Sequence, residues 1–263
     1  VLAVADIHYA LRQFDWVAAV ADQFDAVILA GDLLELSSMV DRRAQIIVVR
    51  AYLADIAQKT RLIVCSGNHD LDAASANGER SARWMGALAE LDVAADGGSV
   101  TVGRALVTAC GWWDGDATRE AIAAQLAEAE GPARRHDHWV WAYHAPPAER
   151  PVSWAGSRHY GDAALIDWIA RYQPDIVFCG HVHTAPFVPG GAWADRVGKT
   201  WVFNAGHQIG PVPAHVVVDL AAPGAAWSSI YGEAWIDLAR EPELRDEGGV
   251  GIPSRLRVRM PQS

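Results

Sequence analysis

The residues of this 263-residue chain that are equipped for chemistry fall into short blocks: Asp6-Ile7-His8, Gly31-Asp32, Ser66-Gly67-Asn68-His69-Asp70, His144 and Gly180-His181-Val182-His183. Carboxylate, imidazole and amide oxygen are the donor types of catalytic metal sites. Each block alone has an ordinary reading. Asp-x-His can be a capped turn, Gly-Asp a helix start, and a lone His a satisfied polar residue. Taken together they differ, because a strand end has no structural use for His181 and His183 two positions apart beside an Asp-x-His and an Asn-His-Asp. The joint pattern points to a shared metal site.

Such a site needs elements that bring distant blocks together. Short runs rich in Val and Ile, at 1–5, 26–30, 61–65, 105–110, 138–143, 175–179, 200–204 and 215–220, read as strands. Each block directly follows one of these runs, and the carboxyl edge of an α/β sheet is where loops converge on a ligand. Between the runs, Leu11, Phe14, Val17, Ala18 and Ala21 share a helical face. The segments 41–58, 79–91, 118–130 and 162–172 read similarly, with Asp41, Thr118 and Asp162 as N-caps. Beyond about residue 174 strand and turn signals take over, which predicts a second sheet built by the second half of the chain. The alternation from Arg255 to Met260 reads as a half-buried strand with a solvated arginine face. No linker or repeat divides the chain, so 1–263 is read as a single domain.

The blocks Asp6-x-His8, Gly31-Asp32-x-x-Glu35, Gly67-Asn68-His69-Asp70, His144 and Gly180-His181-x-His183 resemble, in order, those of the calcineurin-like metallophosphoesterases. The resemblance implies an α/β fold, a four-layer α/β/β/α sandwich of two mixed sheets, around a two-metal centre. Carried over by position, Asp6, His8, Asp32 and His183 would hold one ion. Asp32, Asn68, His144 and His181 would hold the other, with Asp32 as bridge and His69 beside the substrate. Glu35 stands where Asp is commoner, and Asn204-Ala205-Gly206-His207 replaces the usual Asn-Pro-Gly-Ser, which places an extra imidazole near the site.

The implied ligand set has a chemistry of its own. Four imidazoles, two carboxylates and one amide suit Mn first, then Fe or Zn, whereas Mg and Ca would want more oxygen. Two divalent ions, less two Asp and one hydroxide, leave about one local positive charge, which attracts an anion. A metal-bridging hydroxide attacking in line would then hydrolyse a phosphoester. His69, spare in the ligand count, is the natural proton donor to the leaving alkoxide, oriented by Asp70. For the substrate, Asn68, His69 and His207 are candidate contacts, and the loop Trp112-Trp113-Asp114, Trp113 above all, is a candidate for stacking a base or sugar and contacting phosphate. The rim residues Trp154, Arg158, His159 and Tyr160 are weaker candidates.

Composition narrows the partners. Lys plus Arg number 22 against 32 Asp plus Glu, and a net charge of −10 is the wrong sign for a protein living on long nucleic acid. Cys65, Cys110 and Cys179 are odd in number, widely spaced and preceded by apolar runs, which suits buried reduced thiols rather than a disulfide framework. The uncharged stretches 176–194 and 200–218 carry His, Pro and Gly and do not read as membrane spans. The chain opens at Val1 without Met, so residues upstream, a removed signal peptide included, are compatible with the sequence. The expectation is a cytoplasmic enzyme acting on a small phosphodiester, with a nucleotide or cyclic nucleotide among the candidates. A phosphomonoesterase, a nuclease or a non-catalytic interaction module on the same fold are the alternatives, and the oligomeric state stays open.

Overall fold

The computed structural model describes residues 1–239 and 252–259. Its strands are β1 (Leu2–Val4), β2 (Ala26–Ala30), β3 (Arg61–Cys65), β4 (Ala73–Ala74), β5 (Arg80–Ser81), β6 (Ser99–Val102), β7 (Ala105–Cys110), β8 (His138–Tyr143), β9 (Ile176–Cys179), β10 (Ala194–Val197), β11 (Thr200–Asn204), β12 (His215–Asp219), β13 (Gly224–Ser229) and β14 (Gly232–Asp237). The α-helices are α1 (Leu11–Val20), α2 (Arg42–Ala57), α3 (Asp116–Ala133) and α4 (Ala163–Tyr172). All eight strands read from the sequence are present.

Two six-stranded mixed sheets lie face to face, in the orders β14-β13-β12-β1-β2-β3 and β10-β11-β9-β8-β7-β6. Strands β1, β2 and β3 run parallel, as do β7, β8, β9 and β11. The strand period of two explains the layering. Leu2, Val4, Val27, Leu29, Leu62 and Val64 face out to meet α1 and α2, while their neighbours Ala3, Ile28 and Ile63 face in to meet Val107, Val140 and Phe178 of the other sheet. On the far side Trp139, Trp141, Tyr143 and Val177 meet α3 and α4. The result is the expected α/β/β/α sandwich. No described helix is long and apolar enough to cross a membrane.

Several expectations need correction. The second sheet begins at Ser99 rather than after residue 174, and β12, β13 and β14 return to the first sheet, where β12 pairs antiparallel with β1. The segment 79–91 forms no α-helix but a 3-10 run over Arg83–Leu91, preceded by the β4–β5 hairpin. Asp41 and Asp162 cap α2 and α4 as expected. Thr118 does not cap from outside. It lies inside the first turn of α3, its hydroxyl accepting from the Gly115 N–H, while Glu79 takes the Ala117 and Thr118 N–H groups. Within the described part of 255–260, Arg255 and Leu256 belong to a 3-10 turn rather than a strand, and Met260 lies outside the described residues. The alternation survives without a ladder, since Leu256 is buried and Arg255 pairs with Asp219. The three cysteines are buried and free.

One polar knot sets the ends of β3 and β7 relative to each other. Ser66 donates to Asp96 through its N–H (2.8 Å) and hydroxyl (2.6 Å), and the same hydroxyl accepts from the Trp112 N–H at 2.8 Å. Burial pushes the Asp96 pKa up to about 6, and the Ser66 bonds offset this only in part. A folded-state pKa above the unfolded one means that the native state holds the proton more tightly. Asp96 therefore favours folding at low pH, and this contribution is lost as pH rises from about 4 to about 6. Asp96→Asn keeps an acceptor for the Ser66 N–H but not for the Ser66 hydroxyl and removes the charge, so, whatever its offset at pH 4, its stability relative to the parent should rise between pH 4 and pH 7 in urea titrations. A constant difference across that range would contradict the assignment.

Candidate metal centre

The loops leaving β1, β2, β3, β8 and β9 meet between the carboxyl edges of the two sheets, carrying the side chains that the sequence singles out. Asp6, His8, Asp32 and His183 offer donor atoms that all lie within 4.8 Å of one another, and Asp32, His144 and His181 do the same. Asp32 belongs to both groups. Asn68 joins the second, its Oδ1 lying 2.9 Å from His181 Nδ1.

Backbone bonds stitch these loops together. His8 N–H donates to Asp32 O (2.9 Å), His69 N–H to Asp32 Oδ1 (2.8 Å) and His181 N–H to the Asp6 carboxylate (3.0 and 3.1 Å). The stitching forces unusual backbone. Asp6, His8, Asp32 and His181 sit at φ between 48° and 66°, a left-handed region that costs residues with a Cβ of order 1–3 kcal/mol and is held where function needs it. Close approach also needs Gly67, where an added Cβ would lie 2.2 Å from Asp32 Oδ1.

The electrostatics of the cluster call for cations. Asp6 and Asp32 are essentially buried, and among the described residues imidazoles, not Lys or Arg, lie against them. Burial raises the Asp6 pKa, but the His183 and His144 rings more than offset it and hold it below the usual carboxylate value. Asp32 is likewise lowered, burial being overcome by His144 and the His69 N–H. Burial pushes His8 and His181 down to about 4, so both present neutral lone pairs at pH 7. His144 Nδ1–H donates to the Ala30 carbonyl at 2.7 Å, which turns Nε2 toward Asp32 Oδ2, 3.2 Å away. That Nε2 is buried and has no hydrogen-bond partner. His8 Nε2 and His183 Nε2 approach to 2.9 Å. Against their burial, Asp32 raises His144 to about 10 and Asp6 raises His183, so two imidazole protons sit against the carboxylates where cations would go. Exchanged for metal, the same donor set fits divalent ions.

Around this cluster the candidates take distinct positions. Asp70 does not orient His69. Its buried carboxylate accepts from Leu33 N–H (2.9 Å), Leu34 N–H (3.0 Å) and Gly67 N–H (2.8 Å), clamping the loop after β2 to the loop after β3. Burial, then Asp32, push its pKa up to about 7. Glu35 is instead the carboxylate beside the imidazoles, 3.2 Å from His8 Nδ1 and, beyond hydrogen-bond reach, 3.7 Å from His69 Nδ1. The His69 ring stands edge-on to His8 with centroids 4.6 Å apart. Trp113 cannot stack a base, because Trp112 covers one face (5.6 Å, 7°) and the Arg119 guanidinium lies over the ring at 3.8 Å. Trp112, its neighbour in the same loop, instead walls the site, 5.2 Å from the His181 ring. His207 does reach the site, donating from Nδ1 to the Asp6 carbonyl at 2.6 Å with its ring 4.9 Å from His183. Trp154 and His159 pack on each other, and Arg158 on Tyr160.

A family profile described as calcineurin-like phosphoesterase matches residues 1–185. The chain belongs to this family. Comparison with curated proteins gives no match. Among solved structures, TT1561 of Thermus thermophilus is 15% identical with a TM-score of 0.53, the alignment covering 90% of this chain and 97% of that one. A purple acid phosphatase, PPD1 from yellow lupin (Lupinus luteus) seeds, is 14% identical with a TM-score of 0.51, covering 90% of this chain and 51% of that one. At these identities the likeness is one of fold. Membership places the protein among phosphoesterases, and its buried Asp/His cluster is compatible with the family's divalent metal chemistry.

For this phosphoesterase, Asp70→Asn tests the clamp. The amide cannot accept at both positions, so one buried N–H is orphaned at a cost of about 1–3 kcal/mol, and metal affinity should fall about 10–100-fold. Calorimetric titration with Mn would measure it. Unchanged affinity would contradict the clamp.

Proposed function

We propose that the protein is a binuclear metal-dependent hydrolase of small phosphodiesters. The observation that carries the reading is Asp32, a buried carboxylate shared by two groups of metal-type donors, with the unpartnered Nε2 of His144 turned toward it. Asp6, His8, Asp32 and His183 would hold one ion and Asp32, Asn68, His144 and His181 the other, with Mn favoured and Fe or Zn as alternatives. Bound there, two such ions would clamp a phosphoryl group, acidify a water and neutralise the charge of an in-line displacement.

The chain's own residues supply the rest. His69 can give up an Nε2 proton only as an imidazolium, a form in which Nδ1–H, 3.4 Å from Leu36 N and 3.7 Å from Glu35 Oε1, would turn from the Leu36 N–H to the Glu35 carboxylate. From there the proton passes to the leaving oxygen as its bond to phosphorus breaks, while the incoming oxygen stays on the phosphate product. His8 holds His69 edge-on, and Glu35 lies against both rings. Trp112 shields the His181 side from water. His207, fixed through Nδ1 to Asp6, would present Nε2 to the substrate. The free buried thiols agree with a reducing, cytoplasmic setting. A non-catalytic module would have no need for a proton donor beside the ligand cluster.

The test is hydrolysis of bis(4-nitrophenyl) phosphate and 4-nitrophenyl phosphate by chelator-stripped protein reloaded with Mn, Fe or Zn. The reading expects metal-dependent turnover that is faster on the diester. His69→Ala should slow esters with alcohol leaving groups about 10²–10⁴-fold and nitrophenolate esters far less. Equal losses would remove the proton-donor role, and no turnover with any metal would remove the enzyme.

A further inference from the structure

Large apolar side chains exposed among the described residues fall mostly in two places, one a single loop and the other formed by two loops that Gln208 and Ile230 join. Leu36, Met39 and Val40 occupy the loop that follows the Asp32 segment, and Ile209 lies just past His207, beside Ile230 and Tyr231. Together they are six of the nine exposed large hydrophobics among the described residues, so the apolar surface is not scattered. Each stretch starts at a site imidazole. Leu36 N–H bonds to His69, and Ile209 stands two residues from His207, whose N–H bonds to the His183 carbonyl at 3.0 Å.

These side chains are held outward by built scaffolds. Buried Gln45 bonds to both ends of the first stretch, accepting from Glu35 N–H (2.9 Å) and donating to the carbonyls of Glu35 (3.0 Å) and Val40 (2.9 Å). Buried Gln13 does the same for the second, donating to the carbonyls of Gln208 (2.8 Å) and Gly210 (3.2 Å), the residues on either side of Ile209. Gln208 in turn accepts from Ile230 N–H at 2.8 Å, which ties Ile230 to the same lip. A buried amide bonded to both sides of an exposed apolar residue costs folding energy that a plain surface loop would not need.

We infer that these two lips bind a long alkyl or acyl chain attached to the phosphoester, so that the substrate is an amphiphilic phosphodiester. The inference rests on the hydrolase reading and names the substrate class of that site. The ligand cluster would take the anionic head, and the lips adjoining His69 and His207 would take the chain. A net charge of −10 opposes docking on an anionic bilayer, which favours a dispersed amphiphile as the occupant.

The test compares 4-nitrophenyl methyl phosphate with 4-nitrophenyl octyl phosphate, which share a leaving group, on Mn-loaded protein below the critical micelle concentration. Burying several methylenes against the lips should raise kcat/KM for the octyl ester at least about tenfold, mainly through KM. The double variants Leu36→Ser/Met39→Ser and Ile209→Ser/Ile230→Ser, at surface positions that tolerate polarity, should each lose most of that octyl-to-methyl ratio. Equal ratios in the parent, or an undiminished ratio in both variants, would overturn the inference while leaving the hydrolase reading intact. Hydrolysis of neither ester would instead defeat the hydrolase reading and the inference with it. Sedimentation supplies the last arm. A parent dimer that either variant disperses without changing the ratio would make the lips a contact between copies of the chain and overturn the inference.

Discussion

Asp6 and Asp32 place two carboxylates in the interior against imidazoles and backbone N–H groups, with no Lys or Arg beside them among the described residues. Buried carboxylate charge is costly unless it is paired, and the rings that pair it, His144 and His183, are held, against their own burial, above the ordinary imidazole value, chiefly by Asp32 and Asp6 respectively. Much of the surrounding structure maintains this arrangement. The Asp70 clamp and the backbone bonds between loops hold four donor residues in left-handed strain, and the missing side chain at Gly67 permits the close approach. A divalent cation entering such a site would displace the protons on those two rings and stabilise the fold, which would link metal loading to folding stability.

The site was legible because its signal is local and redundant. Asp6-x-His8 and His181-x-His183 each follow an apolar run, and a strand-plus-donor pattern survives errors of a residue or two in strand ends. The central strands were legible for a similar reason, since Ala26–Ala30 and Ile176–Cys179 are rich in Val, Ile and Leu or Phe. The β13–β14 hairpin carries little strand signal because Gly224–Ser229 is Gly, Ala and Ser around one Trp, and Gly232–Asp237 has a single β-branched residue, Ile236, between Trp235 and Asp237. Tertiary context alone makes them strands, through pairing onto β12.

Other features depended on contacts that no spacing encodes. Asp70 follows His69 in sequence, but its carboxylate turns to three backbone N–H groups, and Glu35, from another loop, faces the imidazole. Trp113 has the chemistry of a stacking platform, yet Trp112 and Arg119 cover it. Thr118 was the right kind of residue one turn too deep, because Glu79 reaches in from the β4–β5 hairpin to take the cap. Gln13 and Gln45 look like ordinary polar helix residues until the loops they brace are seen. Chemistry was therefore written in residue type and order, whereas substrate selection was written in packing.

The measurement that bears most directly on the account is anomalous diffraction from crystals grown with Mn. The account predicts two peaks about 3.5–4 Å apart, with the Asp32 carboxylate between them, His8 and His183 on one and Asn68, His144 and His181 on the other. A single peak, or ions bound away from Asp32 while its carboxylate stays buried and bare, would contradict it.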